Sequence, residues 1–170
     1  MTDVTPVAEL DPRYGEITDA FPWAAARELL VRAELCWLST VRPDGRPHVT
    51  PLPAVWHDGA PHVCTGPEER KARNLAGNPH CVLTTGKNEH WTGVDMVLEG
   101  TARRVTDDAV LRELAAAWTA KYGSFWTYDV ADGMFRHGDG GGAIVFRIEP
   151  ATAFAFTKGD GNFGQTRYRF

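Results

Sequence analysis

Cysteine is scarce in this chain: three among 170 residues, Cys36, Cys64 and Cys81. The number is odd and no CxxC pair occurs, which excludes a disulfide framework and a zinc–thiolate knuckle. Each cysteine sits in an apolar, strand-like run, so reduced, buried thiols are expected, and these fit the cytoplasm. Long apolar runs are missing too. None approaches the roughly 20 residues of a membrane span, so no membrane partner is expected. Residues 1–16 are polar and acidic and lack the charged-then-apolar pattern of a signal peptide. Positive charge is in deficit, with 18 Lys and Arg against 22 Asp and Glu and a net charge of −4. That argues against a general nucleic-acid surface. There is no GxSxG elbow, no Walker A loop and no Rossmann glycine fingerprint. The six histidines are scattered, none in an HxxxH helix or beside a cysteine pair, and no metal site is expected. His57 and His62 could at most face each other across a hairpin.

What the chain does have is turns. Asp-Gly pairs at Asp44-Gly45 and Asp58-Gly59 separate strand-like runs and predict hairpins. Strands are predicted over Leu35–Val41, His48–Trp56, Pro61–Gly66, His80–Thr85, Asp95–Thr106 and Ala143–Phe156. Pro51 and Pro53 interrupt the second of these. A proline lacks the ladder donor, so this strand should be an edge, be bulged, or face something other than another strand. Helices are predicted over Phe21–Glu34, with Ala25, Leu29, Leu30 and Ala33 at helical spacing, and over Pro67–Ala76. A third starts at the N-cap Asp107, carries the stripe Val110, Leu111, Leu114 and Trp118, and ends near Gly123. Residues 1–20 read as an N-terminal arm. Strands in hairpins with inserted helices predict a mainly β (α+β), antiparallel, barrel-like sheet with peripheral helices, not a doubly wound parallel sheet.

The stretch "TGPEERKARNLAGNPHCVLTTG", Thr65 to Gly86, concentrates base in an acidic chain. A strand ending in Thr65-Gly66 feeds a helix bearing Arg70, Lys71, Arg73 and Asn74. Free amides and the helix dipole at such a junction favour an anion, and Gly66 lets backbone approach closely. The same residues could equally form a solvated helix face, with Glu68 and Glu69 offsetting the bases.

Three pieces in order, "LSTVRPDGRPHVTPLPAVWHDGAPHVCTG", "ERKARNLAGNPHCVL" and "MVLEGTARRVTD", resemble the pyridoxamine 5′-phosphate oxidase-like flavin-binding split β-barrels. Within that superfamily the chain is similar to the small actinobacterial flavin/deazaflavin-dependent oxidoreductases. The resemblance implies one split β-barrel flavin-binding domain over residues 21–170. It also implies a homodimer with FMN or F420 at the subunit interface, and hydride transfer to a small unsaturated or aromatic substrate. It carries the cofactor phosphate onto Thr65, Gly66, Arg70 and Lys71, with Arg73 and Asn74 beside them, and the ring onto Thr50, Pro51, Leu52 and Pro53. The true oxidase has an Arg and a Lys where this chain runs from His48 to Ala54, so oxidation of pyridoxamine phosphate is not expected. A non-catalytic flavin- or haem-binding split barrel is the alternative.

The tail "GQTRYRF" resembles the closing segment of the superfamily, which implies cofactor contacts from Gln165, Arg167 and Arg169. Alternation puts both arginines on one face of an extended strand and Tyr168 on the other; a frayed terminus is the competing reading. Ser124–Gly142 reads as an aromatic and glycine-rich loop, in which Trp126, Tyr128, Phe135 and His137 could line an aromatic substrate pocket or pack at an interface, beside the flexible "GDGGG" at Gly138–Gly142. For F420, whose polyglutamate tail needs added base, Arg42, Arg46, Arg103 and Arg104 are candidates. No residue announces itself as the proton donor.

Overall fold

The computed structural model describes residues 4–11, 13, 19–138, 141–159 and 162–170. Eleven strands run in chain order: β1 (Val7–Leu10), β2 (Cys36–Val41), β3 (Pro47–Leu52), β4 (Ala54–His57), β5 (Ala60–Thr65), β6 (His80–Thr85), β7 (Gly93–Val105), β8 (Asp129–Ala131), β9 (Met134–Arg136), β10 (Gly142–Gly159) and β11 (Asn162–Arg169). The helices are α1 (Trp23–Arg32), α2 (Arg70–Gly77) and α3 (Asp108–Tyr122), with a 3-10 turn at Ser124–Trp126.

All described strand pairs are antiparallel, and the main path runs β1-β11-β10-β7-β6-β2-β3. β10 is the spine. One edge pairs with β7 over residues 145–158, while the other pairs first with β5 (144–147) and then with β11 (152–159). The strand changes partner midway, and the path ends at β1 and β3 without joining, so the barrel is split rather than closed. The register slips between Pro150 and Thr152. Opposite that bulge a Cβ on Gly100 would sit 2.4 Å from the Glu149 carbonyl oxygen, so the two backbones approach this closely only because residue 100 is glycine.

Burial follows the two-residue period. Leu38, Leu83, Met96, Leu98 and Tyr168 point inward and make the barrel core. A second cluster forms where Leu111, Leu114 and Trp118 of α3 pack on Val55, Phe135 and Val145. The side chain of Asp107 caps α3, accepting from the amides of Ala109 and Val110 at 2.7 and 3.3 Å.

Both expected Asp-Gly turns are present, with positive φ at Gly45, Asp58 and Gly59. Among the described strands β3 pairs only with β2, so Pro51 lies on an edge where its missing N–H costs no ladder bond. Three expectations change. Helix α1 buries Ala26 and Leu30, while Ala25 and Leu29 are exposed. Helix α2 starts at Arg70, not Pro67, because a turn from the Glu69 amide to the Gly66 carbonyl (3.1 Å) comes first. Ser124–Gly142 is not all loop: β8 and β9 form a hairpin about Asp132-Gly133, both at positive φ. Residues 139 and 140 of the glycine-rich loop lie outside the described residues. Part of the N-terminal arm is ordered, since β1 pairs with β11.

Candidate functional site

β5 delivers Thr65, 4% exposed, to the rim of the barrel, and the chain turns through Gly66–Glu69 into α2. Glu69 folds back over this turn. Its Oε1 accepts the Gly66 amide at 3.0 Å, and its Oε2 pairs with the ammonium of Lys71, a side chain only 12% exposed. Gly66 makes room for this, because a Cβ there would meet Glu69 Oε1 at 3.2 Å. Partial burial pulls the Glu69 carboxyl upward. The Lys71 ammonium, the Gly66 amide and the Thr65 hydroxyl nevertheless hold it below the ordinary range. The junction therefore already grips an anionic group, and that group is the chain's own.

Asn74 locks α2 to the sheet. It is 2% exposed, and its Nδ2 donates to Thr40 Oγ1 on β2 at 2.9 Å. Thr40 in turn donates to the His48 carbonyl of β3 at 3.3 Å. Burial lowers the pKa of His48, and so do the neighbouring charges of Arg42, Lys71 and Arg70. Three cations thus converge on the end of the β2–β3 hairpin. On the same elements, Thr50 Oγ1, Asn74 Oδ1 and Arg42 Nε are buried without a hydrogen-bond partner among the described residues. Such orphaned atoms are what a bound polar ligand or water would satisfy. Donors, cations and unmet acceptors fit a phosphate ester with a polar ring attached.

Glu69 links Thr65, Gly66 and Lys71, and the Asn74–Thr40–His48 chain lies within reach of the Arg70 and Lys71 charges; Thr50 is two residues along β3 from His48, opposite Leu38. Arg73 turns away: it pairs with Glu68 at 2.7 Å and shares a groove of about 480 Å³ behind α2 with Arg103 and Arg104. Arg46 pairs with its neighbour Asp44. Leu52 is buried in the core, so only its backbone can meet a ring, while Pro51 faces out and Pro53 lines a cleft of about 820 Å³ with Lys121, Tyr122 and Trp126.

The tail is an ordered strand, not a frayed end. Tyr168 is buried and donates to the Phe21 carbonyl at 2.6 Å. Arg167 and Arg169 share the opposite face and both reach Glu9, at 2.5 and 3.1 Å. Four strands separate β11 from β3, so at ~4.8 Å per strand the two lie roughly 24 Å apart along the sheet. The register nevertheless sets Pro51, Trp37, Thr84, Val97, Phe154, Arg167 and Glu9 in one row across seven strands. On this face Trp37 is 47% and Val49 50% exposed.

Of the aromatic loop, Tyr128 and Phe135 stack at 4.5 Å inside the second core, Trp126 reaches the cleft beside Pro53, and Tyr128 also edges a separate cleft against α3. The cysteines are free, and burial pushes each thiol up to about 11. His57 and His62 stand 6.0 Å apart, but no cluster able to hold a metal exists among the described residues. Nor is any helix among them long and apolar enough to cross a membrane. Thr40 and Lys121 escaped sequence reading: one hydroxyl in a strand and one lysine near a helix end carry no local signal.

The same architecture occurs in an F420 reductase (21% identity, TM-score 0.55, covering 75% of this chain and 94% of that one). It occurs also in a haem-binding protein from Mycobacterium smegmatis (19%, 0.63, 82% and 55%) and a haem storage protein from Vibrio cholerae (20%, 0.59, 75% and 88%). At these identities the likeness is one of fold. No curated protein matches the chain significantly. The family model described as pyridoxamine 5′-phosphate oxidase matches residues 22–155, so the chain belongs to the pyridoxamine 5′-phosphate oxidase-like split-barrel family.

Proposed function

We propose that the chain is a cytoplasmic, homodimeric oxidoreductase that uses FMN or F420 to transfer hydride to a small unsaturated or aromatic substrate. The observation that carries this reading is the anion cradle at the β5–α2 junction, where Gly66, Thr65 and Lys71 already hold a carboxylate. A reduced flavin or deazaflavin supplies the hydride. The chain's own part is to grip the phosphate through Gly66, Arg70 and Lys71 and to lay the edge of β3 along the ring. The cleft beside Pro53, walled by Tyr122 and Trp126, then receives a flat substrate.

The same face supports the reading as a homodimer. The row that begins at Pro51 ends at Arg167, at opposite ends of one sheet. An isologous pairing of two such faces sets the β3 end of one protomer against the β11 end of the other. It would cover Trp37 and Val49, and bring Gln165, Arg167 and Arg169 of one protomer to the phosphate end of its partner. Residues 21–170 then act as one domain, with β1 of the arm tying Glu9 to the tail arginines. Arg42 at the site and Arg104 behind α2 offer base for a longer anionic tail such as that of F420, while Arg73 and Arg103 are already paired with Glu68 and Glu149.

Titration of the purified protein with FMN and with F420, followed by fluorescence, tests this reading. Saturable binding of either supports it. No binding of either, with a Soret band on adding haem, supports the haem-binding alternative instead.

A further inference from the structure

We infer that Glu69 is a specificity-determining residue: a built-in competitor that reserves the anion cradle for ligands more highly charged than a carboxylate. The inference rests on the cofactor-phosphate reading of the β5–α2 junction and adds to it a role for a residue that reading does not use. Three features carry it. The Glu69 carboxylate takes the Gly66 amide at 3.0 Å and the Lys71 ammonium, two of the donors a phosphate would need. Residue 66 is glycine, and a Cβ there would meet Glu69 Oε1 at 3.2 Å, so the carboxylate sits in contact with the turn it caps. The Glu69 side chain is itself half-exposed, so it can swing out to solvent without unfolding anything.

The consequences follow from charge. A monoanionic head offers the cradle nothing that Glu69 does not already supply, and must still displace it. A phosphate monoester, as in FMN, brings close to two charges and three acceptor oxygens, and wins the exchange; the phosphodiester of F420 brings one charge and two free oxygens, and gains less from the cradle. When it does, Glu69 loses Lys71, which is free to pair with the phosphate. Glu69 therefore lowers the affinity of every anion, but excludes weak ones altogether.

The test measures dissociation constants of FMN, riboflavin and F420 for the wild type, Glu69→Gln and Glu69→Ala, by fluorescence at fixed ionic strength. Inorganic phosphate and acetate serve as competitors, and thermal melting checks that each variant folds. The expected result is roughly two- to fivefold tighter FMN or F420 binding in both variants, with riboflavin unchanged, because relief of one partly exposed ion pair is worth about that factor. Acetate should compete in Glu69→Gln and not in the wild type. If the wild type binds FMN or F420 and folded Glu69 variants bind equally or more weakly, Glu69 is a helix-turn brace and the inference fails while the cofactor reading stands. If no variant binds either cofactor, both fall together.

Discussion

Asn74 and Thr40, 34 residues apart in sequence, meet through a 2.9 Å hydrogen bond that fixes α2 against β2. Both side chains are buried, and the bond ties to β2 the helix that carries Arg70 and Lys71. Thr40→Val would leave the Asn74 amide without its acceptor. An unmet buried donor costs about 1–3 kcal/mol. Urea unfolding should show a loss of that size, and FMN or F420 affinity should fall with it. Unchanged stability would mean that the helix is held by its apolar contacts alone.

Lys71→Ala should weaken cofactor binding about ten- to hundredfold, the worth of one charge-assisted hydrogen bond. The fitting control is Arg112→Ala, on the exposed side of α3. Lys121 is not a surface lysine: its ammonium lies 2.7 Å from the Ala54 carbonyl, and burial lowers its pKa. Equal effects of Lys71→Ala and Arg112→Ala on titration would reduce α2 to a solvated face.

The break at Pro53 has a support of its own. Tyr122 accepts from the Ala54 amide at 3.0 Å and donates to the Ala54 carbonyl at 2.9 Å, where β3 gives way to β4. Tyr122→Phe keeps the ring and orphans the amide. A loss of about 1–3 kcal/mol is expected in chemical denaturation. Full stability in that variant would show that water replaces the hydroxyl.

His62 sets a pH dependence. Burial lowers its pKa to about 4, with the Arg147 charge acting in the same direction. The unfolded chain, with an ordinary histidine near 6.5, then binds more protons between these values, so stability rises with pH across that window. As pH falls from about 6.5 to about 4, His62 should cost up to roughly 3 kcal/mol. The loss should shrink in His62→Gln when melting is followed against pH. An identical slope in that variant would assign the effect to other groups.

Much of this was legible locally. Asp58-Gly59 and Asp44-Gly45 announce their turns by residue type, and Pro51 announces an edge strand; the base-rich run after Gly66 left an anion site and a solvated helix face both open. What escaped was non-local or ambiguous. The Asp132-Gly133 turn carried the same signal, but aromatic neighbours made its segment look like loop. The self-binding by Glu69 depends on a turn that delays α2 by three residues. The pairing of Pro51 with Trp37, and onward to Arg167, depends on register across strands far apart in the chain. No spacing rule reports that.

The central claim is that one binding site takes its phosphate grip from α2 of one protomer and its tail arginines from β11 of the other. Complementation tests it most directly. Lys71→Ala and Arg167→Ala are purified separately, each expected to bind FMN and F420 poorly. They are then unfolded and refolded together at equal amounts. In a shared-site dimer, half of the refolded molecules are mixed and each restores one intact site of two, so about a quarter of wild-type binding stoichiometry returns. A site contained within one protomer would recover nothing on mixing, and that result would contradict the account.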